Sequence, residues 1–268
     1  IVDDYSCLVS EELKKWVEKS IKGGERVPEK FKDITQVRMS FAVSKEGKKI
    51  VPVERARVYN YLPTELRLGF KFLFNADFIP DGSSSGLHNV KWNDYVMEQC
   101  GGAFAKWWKS LLVEDDNEGT YELESVFSIL PDLTNTNNYG QLFLKGFFQS
   151  IKDIACIPVR VNDEYKILKM NEVILDVTGI IASSNPIFTD DEFYKFTGIK
   201  GVLPHSEIRC NGKLKNLLKH FGIAKEFSGR HLTGLCDNYR FVEWLKVKQN
   251  NIKFVGFLVQ TGYIENFW

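Results

Sequence analysis

The chain has little charge bias, few histidines and no paired cysteines. Its 268 residues carry 35 basic and 35 acidic side chains, for a net charge of zero. Residues 1–113 hold 18 basic against 15 acidic groups, and 114–118 (EDDNE) are acidic. No region has the basic excess a phosphate-backbone binder needs, which argues against nucleic acid as a partner. The five cysteines, Cys7, Cys100, Cys156, Cys210 and Cys236, are odd in number and widely spaced, without a C-x-x-C. That pattern excludes a disulfide framework or a zinc ribbon and points to free thiols in a reducing, cytoplasmic setting. No apolar run reaches the ~18 residues of a transmembrane helix, so no membrane partner is expected. The four histidines lack H-x-x-x-H or H-E-x-x-H spacing, and G-x-S-x-G, G-x-x-x-x-G-K-[ST] and G-x-G-x-x-G are all missing. Zinc, a serine nucleophile on a strained turn and the common nucleotide cradles therefore have no support.

What is present is apolar patterning: 44% of residues are hydrophobic and 13% aromatic, enough for a large core without staples. Ser10-Glu11-Glu12 opens a helix, with Ser10 as N-cap, a face of Leu13, Trp16, Val17 and Ile21, and Gly23-Gly24 as its stop. Val37–Val43 alternates as a strand, Lys45–Lys48 is a hairpin turn and Ile50–Val53 returns. Val58–Leu62 and Phe70–Phe74 add two strands. From about Lys91 to Val113 an apolar stripe of Trp92, Val96, Cys100, Ala103, Phe104, Trp107 and Leu111 predicts a helix, and Gly101-Gly102 within it implies a kink or close packing.

The acidic stretch 114–119 is the expected boundary, giving domains 1–113 and 120–268. In the second, helices are expected at Tyr121–Leu130, Tyr139–Ile154, Asp190–Phe196, Lys213–Phe221 and Tyr239–Gln249, with strands at Ala155–Val161 and Tyr165–Leu168. Asp190-Asp191-Glu192 suits the first turn of a helix capped by Thr189. His205 reads as a loop histidine and Cys100 as core. The loop Gly82-Ser83-Ser84-Ser85-Gly86 suits the approach of a phosphate and equally a turn between strand and helix. The start on Ile-Val without Met and the end on Phe267-Trp268 lead us to expect an excised segment of a longer protein.

One run of motifs carries a resemblance. Phe41-Ala42, Tyr59–Thr64 (YNYLPT), Gly69–Phe78 (GFKFLFNADF) and Trp92-Asn93 resemble the segment that follows the nucleotide-binding domain in bacterial GHKL-type ATPases, of the heat-shock-protein-90-like, sacsin-like kind. The likeness extends over about Gln36–Leu112 and is loose beyond it. It implies an α+β transducer fold, a small mixed sheet with packed helices, followed by a mixed, mostly helical part. It implies that ATP and Mg are bound by an N-terminal GHKL domain in cis, with no cofactor or metal held by this chain. Such a middle domain commonly supplies one cation to the γ-phosphate, and Arg67 and Lys71, beside the LPT turn, are the candidates; the alternative is that both are solvated charges. Where relatives tend to have Ser-Arg-Glu, this chain has Ser83-Ser84-Ser85, which places any cofactor contact of those three residues in question. The rival expectation is a protein-interaction or client-binding module without ATPase activity.

Overall fold

The computed structural model describes residues 1–268 except 26, 84, 114–120, 135–136, 162–163, 182–184, 210, 222–224 and 268. The chain is α+β and divides into two compact units, Ile1–Ile154 and Ala155–Trp268. The acidic stretch 114–119 expected as the boundary lies outside the described residues. The division falls later because the helices that follow that stretch pack into the first unit.

The first unit contains strands β1 (Val2–Leu8), β2 (Gln36–Ala42), β3 (Ser44–Glu46), β4 (Lys49–Val51), β5 (Val58–Asn60), β6 (Leu62–Pro63) and β7 (Leu73–Ala76). Its helices are α1 (Glu11–Lys22), α2 (Lys91–Ser110), α3 (Leu123–Ser128) and α4 (Asn138–Ile151). Five strands form one sheet in the order β1-β2-β7-β5-β6. The β5–β7 pair is parallel and the others are antiparallel, so the sheet is mixed. Strands β3 and β4 form a separate hairpin whose turn uses Gly47 at φ 58°.

Sequence period sets the layers. In β2, Val37, Met39 and Phe41 are buried while Gln36 and Arg38 face solvent. The stripe on α2 closes over that inner face, and Trp92, Val96, Cys100, Phe104 and Trp107 are fully buried. Phe41 stacks on Trp107 with centroids 5.4 Å apart, Phe72 on Phe104 at 4.4 Å, and Phe70 meets Phe143 of α4 at 4.5 Å. Each such ring contributes about 1.5–3 kcal/mol relative to exposure. Gly101 is where α2 and α4 touch: a Cβ there would lie 1.9 Å from the Phe143 carbonyl oxygen. Close packing explains that glycine. Ser10 caps α1 as expected, its Oγ accepting the Leu13 N–H at 3.2 Å.

Three readings shift. Val58–Leu62 is not one strand, because Tyr61 takes a left-handed φ of 59° and turns β5 back into β6. The strand expected at Phe70–Phe74 begins at Leu73, after Gly69 at φ 72°. Edge strand β1 was not foreseen.

The second unit holds an antiparallel hairpin, β8 (Ile157–Val161) with β9 (Glu164–Leu168), and a parallel pair, β10 (Ile174–Asp176) with β11 (Lys225–Phe227). Helices α5 (Asp190–Thr197), α6 (Gly212–Phe221), α7 (Gly229–Gly234), α8 (Tyr239–Leu245) and α9 (Lys248–Thr261) follow. Phe188, Phe193, Phe227, Phe241 and Phe254 form its core. Thr189 and Glu192 make the expected capping box on α5, with Thr189 Oγ1 accepting the Glu192 N–H at 3.2 Å and Glu192 Oε2 accepting the Thr189 N–H at 2.9 Å. The helix expected over Tyr239–Gln249 is two, divided where Val247 is extended (ψ 115°) and the Trp244 carbonyl accepts from Asn250 Nδ2 at 3.0 Å.

Candidate functional site

The motif residues of Tyr59–Asn93 form one hydrogen-bonded frame in the first unit. Thr64 Oγ1 donates to the Val58 carbonyl at 2.8 Å and accepts the Leu66 N–H at 3.2 Å, closing the LPT turn. Asn75 Oδ1 accepts the Tyr61 N–H at 2.7 Å, which fixes the strained residue at its tip. Asp77 is buried, and its Oδ2 accepts the Arg38 N–H at 2.8 Å while its Oδ1 accepts the Tyr61 hydroxyl at 2.6 Å. The Arg38 guanidinium donates to the Tyr61 hydroxyl oxygen at 2.8 Å and stands 3.5 Å from Asp77 Oδ2. Trp92 Nε1 donates to the Asp77 carbonyl at 2.7 Å, and Asn93 bonds both the N–H and the carbonyl of Ile79. The bond to Asp77 raises the Tyr61 phenol above its ordinary pKa, with burial adding to it, so the phenol stays neutral.

This frame holds two loops together. The Glu65 N–H donates to the Ser85 carbonyl at 2.7 Å, tying the turn that carries Arg67 to the loop that carries the serines. Arg67 is exposed, and among the described residues no ion pair engages it. Lys71 differs: its Nζ lies 2.8 and 2.7 Å from the two carboxylate oxygens of Glu54. Of the two candidates, Arg67 is the cation free to reach a ligand.

The serine loop is already filled by its own acid. Ser83 donates through its N–H (3.1 Å) and its hydroxyl (2.8 Å) to Asp81 Oδ1, and Ser83 Oγ lies 2.7 Å from Ser85 Oγ. The Ser83 hydroxyl first, then nearby backbone N–H groups, hold the Asp81 carboxyl below its ordinary range. A phosphate here would compete for the same donors and meet a like charge. Ser83 and Ser85 thus form an acid-stabilised turn; Ser84 lies outside the described residues.

The outer face of the sheet carries exposed side chains, among them Asp4, Ser6, Gln36 and Arg38. A groove of about 460 Å³ runs across it, lined among others by Asp4, Ser6, Arg38, Tyr61, Asn75 and Asp77. Sequence reasoning missed Arg38, Tyr61 and Asp77 as a group. The one available signal was a charged residue, Asp77, ending an otherwise apolar strand.

The remaining candidates are structural. His205 is buried, its Nδ1 accepting the Glu207 N–H at 3.4 Å, and burial lowers its pKa. Burial raises the Cys100 thiol well above its ordinary value. Among the described residues no three His, Cys, Asp or Glu side chains gather as a metal site, and no helix is long and apolar enough to cross a membrane. Comparison with known proteins adds no assignment: no family model, curated protein or solved structure matches the chain.

Proposed function

We propose that the first unit is a transducer module of a GHKL-type, heat-shock-protein-90-like ATPase, coupling the nucleotide state of an ATP- and Mg-binding domain in cis to movement elsewhere. One observation carries the reading. The residues on which the resemblance rests (Thr64, Asn75, Asp77, Trp92 and Asn93) bond within the same set of strands and turns, and the turn closed by Thr64 presents Arg67 without an ion-pair partner among the described residues. A cation that meets the γ-phosphate only when domains dock must be held in place and left unpaired. ATP turnover by the intact protein is expected to fall roughly 10²-fold for Arg67→Ala, the scale of losing one charge-stabilising donor. Lys71→Ala is expected to matter less, because Glu54 holds that ammonium. Unchanged turnover in both variants removes them as the phosphate cation. By calorimetry the 268-residue chain alone is expected to bind no ATP, and tight binding would sink the reading.

A second reading is a protein-interaction or client-binding module with no ATPase activity. Helix α9 favours it: Ile252, Val255 and Val259 are 61%, 43% and 58% exposed and recur on one helical face. The sequence preceding Ile1 in the intact protein separates the two. An N-x-x-D/E helix, a D-x-G-x-G and a glycine lid there support the ATPase reading, and their absence leaves the binding one.

A further inference from the structure

Strand β1 forms one edge of the five-stranded sheet, with β2 as its partner. Bonded pairs alternate in an antiparallel ladder, and the ends of this one fix which residues they are. Ile1 N donates to the Val43 carbonyl at 3.0 Å, and the Val43 N–H donates back to the Ile1 carbonyl at 3.1 Å. At the other end the Val9 N–H donates to the Thr35 carbonyl at 2.9 Å. The odd-numbered residues of β1 therefore bond to β2. The N–H and carbonyl groups of Val2, Asp4, Ser6 and Leu8 point away from the sheet. Among the described residues the only bond to any of them comes from the Tyr95 hydroxyl, which donates to the Leu8 carbonyl at 2.9 Å and leaves that oxygen a second lone pair.

Exposed edges are usually blunted by proline, by charged side chains (lysine above all) or by a bulge. Val2–Leu8 has no proline or lysine, its charges are Asp3 and Asp4, and seven consecutive residues pair with β2 in unbroken register. The side chains of Val2 and Leu8 are 68% and 71% exposed at its two ends, on the exposed side of the strand.

The edge is complementary to itself. If two copies of β1 run antiparallel about a two-fold axis through Tyr5, residue 2 meets 8, 4 meets 6, and each outward-pointing residue faces another. That register places Val2 against Leu8 of a second copy, aliphatic on aliphatic. It places the Asp4 carboxylate against the Ser6 hydroxyl, and Asp3 against Cys7. Moving the register by two in one direction puts Asp4 against Asp4, a like-charge pair. Moving it by two in the other puts Asp4 against Leu8. Either shift also leaves one outward residue at an end of each strand unpaired.

We propose that this edge binds a second copy of the chain, joining two sheets into one continuous ten-stranded sheet through β1. The contact is isologous, as a closed dimer requires, and buries the two exposed aliphatics at each end.

The test is sedimentation over a concentration series of the 268-residue chain, with two sets of variants. The wild type is expected to shift from 30.9 kDa to twice that mass. Ser6→Pro removes an outward N–H that the fold does not use, which an edge strand tolerates, and is expected to stay monomeric. Val2→Cys with Leu8→Cys is expected to cross-link on mild oxidation into a covalent dimer. The two positions lie roughly 20 Å apart within one strand, so they cannot bridge inside a chain. Val2→Cys alone is expected to cross-link no more than wild type. In the dimer the Val2, Asp4 and Ser6 amides are expected to exchange hydrogen slowly. A chain monomeric throughout the series overturns the proposal, as does a dimer that survives Ser6→Pro or cross-linking by Val2→Cys alone equal to that of the double variant. Should Ser6→Pro fail to fold, the cross-linking and exchange results decide alone.

Discussion

Adjacent glycines on α2 offer a test of the first unit's architecture, because the structure assigns them opposite tolerances. A Cβ on Gly101 would lie 1.9 Å from the Phe143 carbonyl oxygen and 2.6 Å from the Phe147 nitrogen, both backbone atoms of α4. A Cβ on Gly146 would lie 1.8 Å from the Glu98 carbonyl oxygen, so the approach is close from both helices. An ordinary C···O contact is roughly 3.3 Å, so α2 and α4 must part by about 1.4 Å to admit one methyl group. A gap of that size forfeits much of the dispersion between the facing rings, which here include Phe104, Phe143 and Phe147. Overpacking of this kind costs about 1–3 kcal/mol, and more when only backbone can move. The helix propensity gained from Ala returns about 1 kcal/mol. With the upper end of that range, the expected net loss for Gly101→Ala is about 2 kcal/mol, or roughly 4–8 °C in Tm. At Gly102 the new Cβ meets the Ser150 hydroxyl at 2.8 Å, a side chain free to rotate, with the next backbone atom 3.8 Å away. Gly102→Ala is expected within ~1 kcal/mol of wild type. Thermal and urea unfolding of the two variants compares them directly. Equal stability for Gly101→Ala and Gly102→Ala would refute the helix contact and the placement of α4 in the first unit.

Asp77→Ala leaves the Arg38 N–H and the Tyr61 hydroxyl without their acceptor; at about 1–3 kcal/mol per orphaned group, a loss of about 3 kcal/mol is expected in urea unfolding, and a change under 1 kcal/mol would show that solvent replaces the carboxylate. Thr189→Ala breaks the α5 capping box and is expected to lower the stability of the second unit by about 1 kcal/mol, checked by amide exchange in α5. Burial, with a smaller push from Glu207, raises the Tyr165 phenol from 10.0 to about 12. A raised folded pKa means the contribution is whole below pH 10 and is lost as pH climbs to about 12. Stability of the wild type should therefore fall across that window more steeply than that of Tyr165→Phe, and parallel curves would refute the assignment.

Local rules made the helices and their caps readable, because the causes lie within a few residues. Ser10 and Thr189 are capping residues whose partners sit three positions on. The α2 stripe repeats at helical spacing, and Gly101 within it announced a close neighbour without naming which. The errors lie where a distant contact overrode a local preference. Tyr61 reads as mid-strand in an apolar run, yet Asn75 and Asp77 hold its N–H and hydroxyl and keep its backbone left-handed. Strand β1, for which the sequence offered no strand signal, is held by its pairing with β2, and its Asp4 stays in water because it lies with Val2, Ser6 and Leu8 on the exposed side of the strand. The acidic stretch reads as a linker, yet the division of the chain comes after α4, whose Gly146 and Phe143 dock on α2 and whose allegiance no local pattern states. The Arg38–Tyr61–Asp77 cluster joins residues 39 and 16 positions apart. Each looks unremarkable alone: a surface arginine, a loop tyrosine, a strand-end acid. Only the β2–β7 register, which sets Met39 opposite Ala76, brings Arg38 beside Asp77. A site made by strand pairing becomes visible only once the register is known, whereas the serine loop, contiguous in sequence, reads equally as a cradle or a turn, and its Ser83 bonds to Asp81 and to Ser85.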